Sequence, residues 1–192
     1  METPNIRTRN PDVTRKAIID AARHCFAAGG YEDVGVREIA AQAGVTAALI
    51  NRYFGSKEGL FAEAVPPTLE IGLFLDGDMR RFGERAATIM VMKSGNGYDP
   101  MLALLRSMGS RIAVPQLRAA IDKQVVEVLA TRLEGPDRLM RAGLIIAQLT
   151  GFDVMMRALS SAHLSGTHMT SDDLGRMRLH LAKSIQALVD NN

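Results

Sequence analysis

Few side chains in this sequence are spaced for covalent chemistry. Its single cysteine, Cys25, and its four histidines, His24, His163, His168 and His180, are spread along the chain. His163 and His168 flank the turn Ser-Gly-Thr, where two imidazoles could face one ion. No cysteine or carboxylate stands at ligand spacing beside them, so surface or structural roles suit them better. Cys25 lies on an apolar helical face, the setting of a core thiol rather than a nucleophile. There is no G-x-S-x-G, no glycine-rich phosphate loop and no H-E-x-x-H, so no catalytic residue, metal or cofactor is expected. The residues that do suggest a chemistry are Thr46, Ala47, Ala48, Asn51 and Arg52. On a helix they form a face of small and polar groups suited to base edges. Alanine methyls pack on thymine methyls, asparagine pairs with adenine or a phosphate, and arginine reaches guanine or a phosphate.

Such a face must be held out by its neighbours. Val36, Ile39, Ala40 and Ala43 recur at the spacing of one helical face, which predicts a first short helix. Gly44 suits the left-handed stop after it. Val45 can plug the gap to a second helix, which Thr46 is expected to cap and which should bury Leu49 and Ile50. Helix, glycine turn and helix with a small polar outer face form the helix-turn-helix that enters a DNA major groove. A longer helix precedes this pair: Pro11 and Asp12 open it, with Asp12 as its expected cap. Ile18, Ala22, Cys25 and Phe26 line its buried face, and Gly29 and Gly30 end it. Beyond the pair, Gly55 breaks the chain and Ser56 should cap a further helix with Glu58 in its first turn. Lys57, at that helix's start, can share a phosphate with nearby backbone N–H groups.

Together these residues resemble the DNA-binding domain of the TetR family of bacterial transcriptional regulators. The resemblance rests on Ala21, Ala22, Phe26, Gly30 and Tyr31, then VREIA, AGV and INRYFGSKEGLF, and spans Thr14 to Val65. Asn51 stands where the family often has tyrosine. The resemblance implies a homodimeric repressor whose recognition helices enter successive major grooves about one turn apart, with Arg37, Tyr53 and Lys57 positioning the head on phosphates. It also implies that the last two helices pair with their copies as a four-helix bundle. Leu139, Gly143, Ile146, Thr150, Val154, Leu181, Ile185 and Leu188 are the interface candidates. The alternative is that both stripes face the chain's own core.

The remaining chain reads as helices throughout. Residues 1–10 form a polar arm carrying Arg7 and Arg9, either a solvated tail or a DNA contact. Pro66 and Pro67 should break the fourth helix near Val65, with helix resuming toward Leu75. Gly77 and Asp78 mark a turn before a helix over 79–92, in which Arg80 and Glu84 are spaced to pair. Ser94 to Pro100 is the densest loop signal. A short helix over 101–108 and another from Pro115 to Leu133 follow, and Gly135 with Pro136 separates the latter from 136–160, which is apolar on more than one face. Thr170 or Ser171 should cap the last helix, ahead of Asp172 and Asp173. The expected organisation is an arm (1–10), a three-helix head (11–56) and a ligand-binding and dimerisation body (57–192), all-α with about nine helices.

Of the 11 methionines, Met79, Met90, Met92, Met101, Met108, Met140, Met155 and Met156 fall in that body. Methionine fills irregular cores and also suits adaptable apolar pockets. Met90, Met101, Leu105, Met108, Leu149, Phe152 and Met156 are candidate lining for a small, mostly apolar effector. At 192 residues and 47% apolar the chain can bury a sizeable core. Its net charge of +2 is too small to argue for nucleic acid by itself. One cysteine excludes an internal disulfide and fits a reducing cytoplasm. No apolar run near a membrane span of about 18 residues is read, and the N-terminal stretch lacks a signal-peptide core. The expected partners are therefore double-stranded DNA, a second copy and a small molecule, without a membrane. Two other readings compete. A helical enzyme would need clustered polar side chains that the body lacks. A ligand-binding or adaptor helical protein without sequence-specific DNA binding would suit the head's weak charge, eight Lys and Arg against seven Asp and Glu over 1–62.

Overall fold

The computed structural model describes residues 10–69, 71–92, 98–161, 163–164 and 169–191, and every regular element among them is helical. In chain order these are α1 (Pro11–Asp33), α2 (Val36–Ala43), α3 (Ala47–Phe54), α4 (Lys57–Ala64), the single turn α5 (Gly72–Leu75) and α6 (Phe82–Met92). Then come α7 (Pro100–Ser107), α8 (Ala113–Ala120), α9 (Arg138–Asp153) and α10 (Ser171–Asp190). α8 runs on through a π-helical stretch (Ile121–Val126) and a last turn (Glu127–Ala130), and α9 through another π stretch (Val154–Ala158). Leaving aside α5, the described residues hold nine helices, the expected all-α architecture. The polar arm up to residue 9, most of the loop before Pro100, and His168 lie outside the described residues.

The chain divides into two compact units, Met1–Thr68 with Leu102–Leu117, and Leu69–Met101 with Arg118–Asn192. The head read from sequence is thus smaller than the unit that contains it, which also takes in α4 and most of α7. In this first unit Ile18, Phe26, Ile39, Ile50, Leu60 and Phe61 are fully buried. Phe61 meets Phe26 and Tyr31 edge-on, with centroids 5.0 and 5.1 Å apart, a geometry that adds to area burial. The cap of α1 is Asn10, whose side chain accepts the Asp12 N–H at 3.0 Å. Asp12 therefore sits in the first turn rather than at the cap. Gly30 breaks α1 at φ 76°, and a Cβ there would lie 2.3 Å from the Arg106 carbonyl oxygen. The Arg106 guanidinium in turn donates to the carbonyls of Ala27 and Ala28. Glycine is required here twice over, for its φ and for the close approach.

α4 stops at Ala64, and Pro66–Thr68 forms one 3-10 turn, the break expected from the two prolines. The helix placed at Pro115 begins two residues earlier, at Ala113, because Ser110 Oγ accepts the N–H groups of Ile112 and Ala113. It ends at Ala130 rather than Leu133.

The second unit is built on α6 against α10. Gly83 allows contact so close that a Cβ would meet the Ala182 carbonyl at 2.2 Å, and its N–H donates to Gln186 Oε1 at 2.8 Å. Phe82, Ala86, Leu129, Ala142, Ile145 and Ile185 form the core there. Arg80 pairs with Asp78, and Arg81, not Arg80, pairs with Glu84. Asp78 caps the 3-10 turn ahead of α6 and so draws Arg80 back. Thr170 and Asp173 close a capping box at the start of α10.

The expectation that no apolar run approaches membrane length needs correction. Arg138–Arg157, the helix α9 with its π extension, is long and apolar enough by length and composition. Two arginines in it are built into the unit's interior. Arg141, 5% exposed, donates to the carbonyls of Glu134, Pro136, Leu188 and Val189. Arg157 joins the buried carboxylates of Asp153 and Asp99.

Candidate nucleic-acid interface

The turn between α2 and α3 has the geometry its sequence asks for. Gly44 is left-handed (φ 65°, ψ 38°) and its N–H bonds the carbonyls of Ala40 and Ala41. The Val45 N–H then reaches back to Ala40 at 2.9 Å, closing the helix end. Thr46 stands at the N-cap of α3, but its side chain makes no cap bond. Its hydroxyl is exposed and unspent by the helix, which suits a groove contact better than a cap.

α3 is anchored from beneath by Ile50, fully buried, and Phe54. Leu49, expected to be buried, is only half-buried. Thr46, Ala48, Asn51 and Arg52 are exposed, and Ala47 and Tyr53 half-buried. The structure thus brings the five base-reading candidates onto one outward surface. The side chains of Asn51 and Arg52, together with that of exposed Arg37 on α2, have no partner among the described residues. At the far end of α3, Gly55 takes φ 75°, and a Cβ on Gly59 would lie 2.2 Å from the Phe54 carbonyl. Ser56 caps α4 by accepting the Gly59 N–H at 3.0 Å. That tight elbow fixes where α4 starts relative to α3.

Lys57 is more constrained than its sequence suggests. Its ammonium lies 4.5 Å from the Tyr31 ring centroid and donates to the Glu32 carbonyl at 3.2 Å. Burial, then the Glu58 and Glu32 carboxylates, push the Tyr31 phenol up from its usual range, so the ring stays neutral beneath the ammonium. Arg15 and Glu63 tie α1 to α4 in an ion pair, with the Arg15 guanidinium 5.1 Å from the Phe54 ring centroid. Behind the outward face, Cys25 is buried with its thiol donating to Gln42 Oε1 at 2.8 Å. Burial and then Glu38 raise its pKa, as for a core thiol.

The candidates in the body are less concentrated. Met90 and Leu149 are buried in the core of the second unit, while Phe152 and Met156 are half-buried. Leu105 and Met108 belong to the first unit, Met108 being exposed, and Met101 lies in the second. Phe152 alone of the seven lines the second unit's open cavity of about 670 Å³ between α9 and α10. Of the interface candidates, Ile185 is fully buried in its own unit and cannot meet a partner. Gly143, Ile146, Thr150, Val154, Leu181 and Leu188 are half-buried and Leu139 exposed. Periodicity marked this stripe apolar, but not that α6 covers the Ile185 side of α10. The exposed apolar residues of α9 are instead Leu139, Met140 and Leu144, with Met155 in the π extension. Sequence reasoning also missed the Asp99–Arg157–Asp153 cluster. The Asp153/Arg157 spacing was a readable signal, whereas Asp99 is too distant in sequence. No three metal-ligating side chains converge among the described residues.

Comparison with known proteins finds two matched blocks, the second of which runs through residues of both compact units. Residues 18–64 match the model of the bacterial regulatory proteins, tetR family, and residues 81–189 match the tetracyclin repressor-like C-terminal domain. The HTH-type transcriptional regulator BetI of Agrobacterium fabrum is 34% identical over 97 residues, 50% of this chain and 35% of BetI. The HTH-type transcriptional repressor AcnR of Corynebacterium glutamicum is 41% identical over 51 residues, 27% of each chain. The chain spans about a third of the length of these curated relatives. A crystal structure of a TetR-family regulator from Streptomyces coelicolor A3 is 25% identical and covers 96% of this chain and 98% of its own, with a TM-score of 0.58.

Proposed function

This chain belongs to the tetR family of bacterial regulatory proteins, and from that membership we propose that it is a ligand-responsive repressor that binds a palindromic operator as a homodimer. The observation that carries the reading is the outward face of α3. Thr46, Ala48, Asn51 and Arg52 are exposed together on a helix that Ile50 and Phe54 hold from below. Ala47 and Ala48 meet thymine methyls, Thr46 and Asn51 offer hydrogen bonds to base edges, and Arg52 reaches guanine or a phosphate. Arg37, Tyr53 and Lys57 grip phosphates and set register without reading sequence. Lys57 does so from the start of α4, where unpaired backbone N–H groups add to its charge. A cytoplasmic location follows from the DNA partner.

Two such faces need a twofold axis to address a palindrome. On this reading α9 supplies it through the exposed Leu139, Met140 and Leu144, with Met155 in its π extension, and α10 through the half-buried Leu181 and Leu188 rather than Ile185. A small, mostly apolar effector in the second unit releases the DNA. It does so only by its differential affinity for the two states, and swinging 1:99 to 99:1 takes about 5.5 kcal/mol. The Pro66–Thr68 turn, just before the chain passes into the second unit, serves as the hinge. Selection of duplexes from genomic fragments, followed by footprinting, tests the proposal. A protected palindrome with two half-sites about one helical turn apart is expected, and retention of random duplexes alone contradicts it.

A further inference from the structure

Leu49 and Ile50 are both large aliphatic residues of α3, yet Ile50 is fully buried and Leu49 only half-buried. Successive residues of a helix point about 100° apart, so Leu49 cannot share the inward side of Ile50. It shares a side instead with Thr46, three residues before it, and Tyr53, four after it. These three line an open cavity of about 520 Å³ in the first unit, together with Val45 of the turn and Thr14 of α1. Val45, Leu49 and Tyr53 are each half-buried and give the cavity apolar wall. Thr14 is buried, and its hydroxyl proton is spent on the Asn10 carbonyl at 3.3 Å. No charged side chain lines the cavity, which makes it a poor seat for a phosphate. Thr46 belongs both to this lining and to the outward face of α3, so the cavity continues the surface offered to DNA.

We infer that this cavity takes the edge of one operator nucleotide, with the C5-methyl of its thymine against Leu49. That methyl is the apolar group a base edge presents in the major groove, so an apolar wall beside a reading face is matched by thymine and by no other base. The volume exceeds a methyl and suits a base edge with its sugar, which Val45 and the Tyr53 ring pack. At the rim, the Thr46 hydroxyl is not spent on capping α3 and can donate to thymine O4. Leu49 is thereby a specificity-determining residue separate from Ala47 and Ala48, neither of which lines the cavity. The inference rests on the regulator reading above and adds one base to what α3 reads.

The test replaces thymidine by deoxyuridine, one position at a time, in the operator selected from genomic fragments, and measures the affinity of the full chain for each duplex. The exchange removes the C5-methyl and leaves base pairing intact. At one position in each half-site the wild type should lose about fourfold, the scale of one methyl group withdrawn from an apolar contact. In Leu49→Ala the thymidine and deoxyuridine duplexes should bind alike at that position, whatever the overall affinity of the variant. The readout is a ratio on one protein sample, so partial unfolding does not imitate it. Leu49→Gln keeps the length of the side chain without its apolar end; it carries the same expectation and stands in for Leu49→Ala if that variant does not fold. Indifference of the wild type to every deoxyuridine overturns the inference. So does a loss that persists in the Leu49 variants, which would give the methyl to Ala47 or Ala48. A preferred operator without any methyl effect sinks this inference alone, and the absence of any preferred duplex sinks the regulator reading and this with it.

Discussion

α3 and α9 each turn one well-anchored side inward and leave the other uncovered, yet the uncovered sides differ in kind. On α3 the outward residues are Thr46, Ala48, Asn51 and Arg52, small or polar. On α9 they are Leu139, Met140 and Leu144, the last two 66% and 48% exposed. An apolar stripe of that kind lowers free energy by meeting another apolar surface, whereas Asn51 and Arg52 do so by finding hydrogen-bond acceptors. On the reading proposed above, one helix meets a nucleic acid and the other a second copy, although both are amphipathic helices of ordinary composition. Polarity of the uncovered side, not helicity, is what distinguishes the two helices in that proposal.

The comparison breaks most severely if α9 loses its inward anchor. Arg141→Met removes the donors that satisfy carbonyls of Glu134, Pro136, Leu188 and Val189. It should cost roughly 3 kcal/mol of stability, seen as a lower midpoint in urea unfolding. An unchanged midpoint would mean that water replaces the guanidinium without penalty. Leu144→Asp alters the outward side only. Sedimentation should show monomers, the thermal midpoint should lose its dependence on protein concentration, and operator affinity should fall about a hundredfold. A variant that stays dimeric would take α9 out of the assembling role.

Gly30→Ala probes the frame that holds α3. With φ at 76° and the Arg106 carbonyl 2.3 Å from the added Cβ, a loss of about 2 kcal/mol is expected in chemical unfolding. Wild-type stability would show that α7 yields easily. The smallest effect belongs to Lys57→Ala. Its ammonium is already shared with the Tyr31 ring and the Glu32 carbonyl. Affinity should drop by less than about 1 kcal/mol on every duplex, and the salt slope should flatten by about one. A sequence-dependent loss would make Lys57 a base reader.

The reading side was largely written in local signals. Gly44, Gly55 and Ser56 sit at helix ends, where conformation and capping depend on neighbours within four residues, and each is found as expected. Asn10 and Thr46 show the limit of that logic. Several polar residues near a helix start can cap it, and which one does depends on backbone placement within a residue or two. The assembling side was written in long-range pairings. Ile185 and Leu144 are equally apolar in sequence, and only the position of α6 against α10 buries the first. Arg141 carries no local signal of its role, since two of the carbonyls it satisfies, those of Leu188 and Val189, lie at the far end of the chain. Asp99 likewise gains meaning only from Arg157, 58 positions later.

The most direct trial of the central claim is a titration of wild type, Asn51→Ala and Arg52→Ala against the footprinted operator and against a scrambled duplex of equal length and salt. Each substitution should cost about 1–3 kcal/mol on the operator and far less on the scrambled duplex, relaxing preference at one base position. Equal losses on both duplexes at both positions would place base recognition somewhere other than α3.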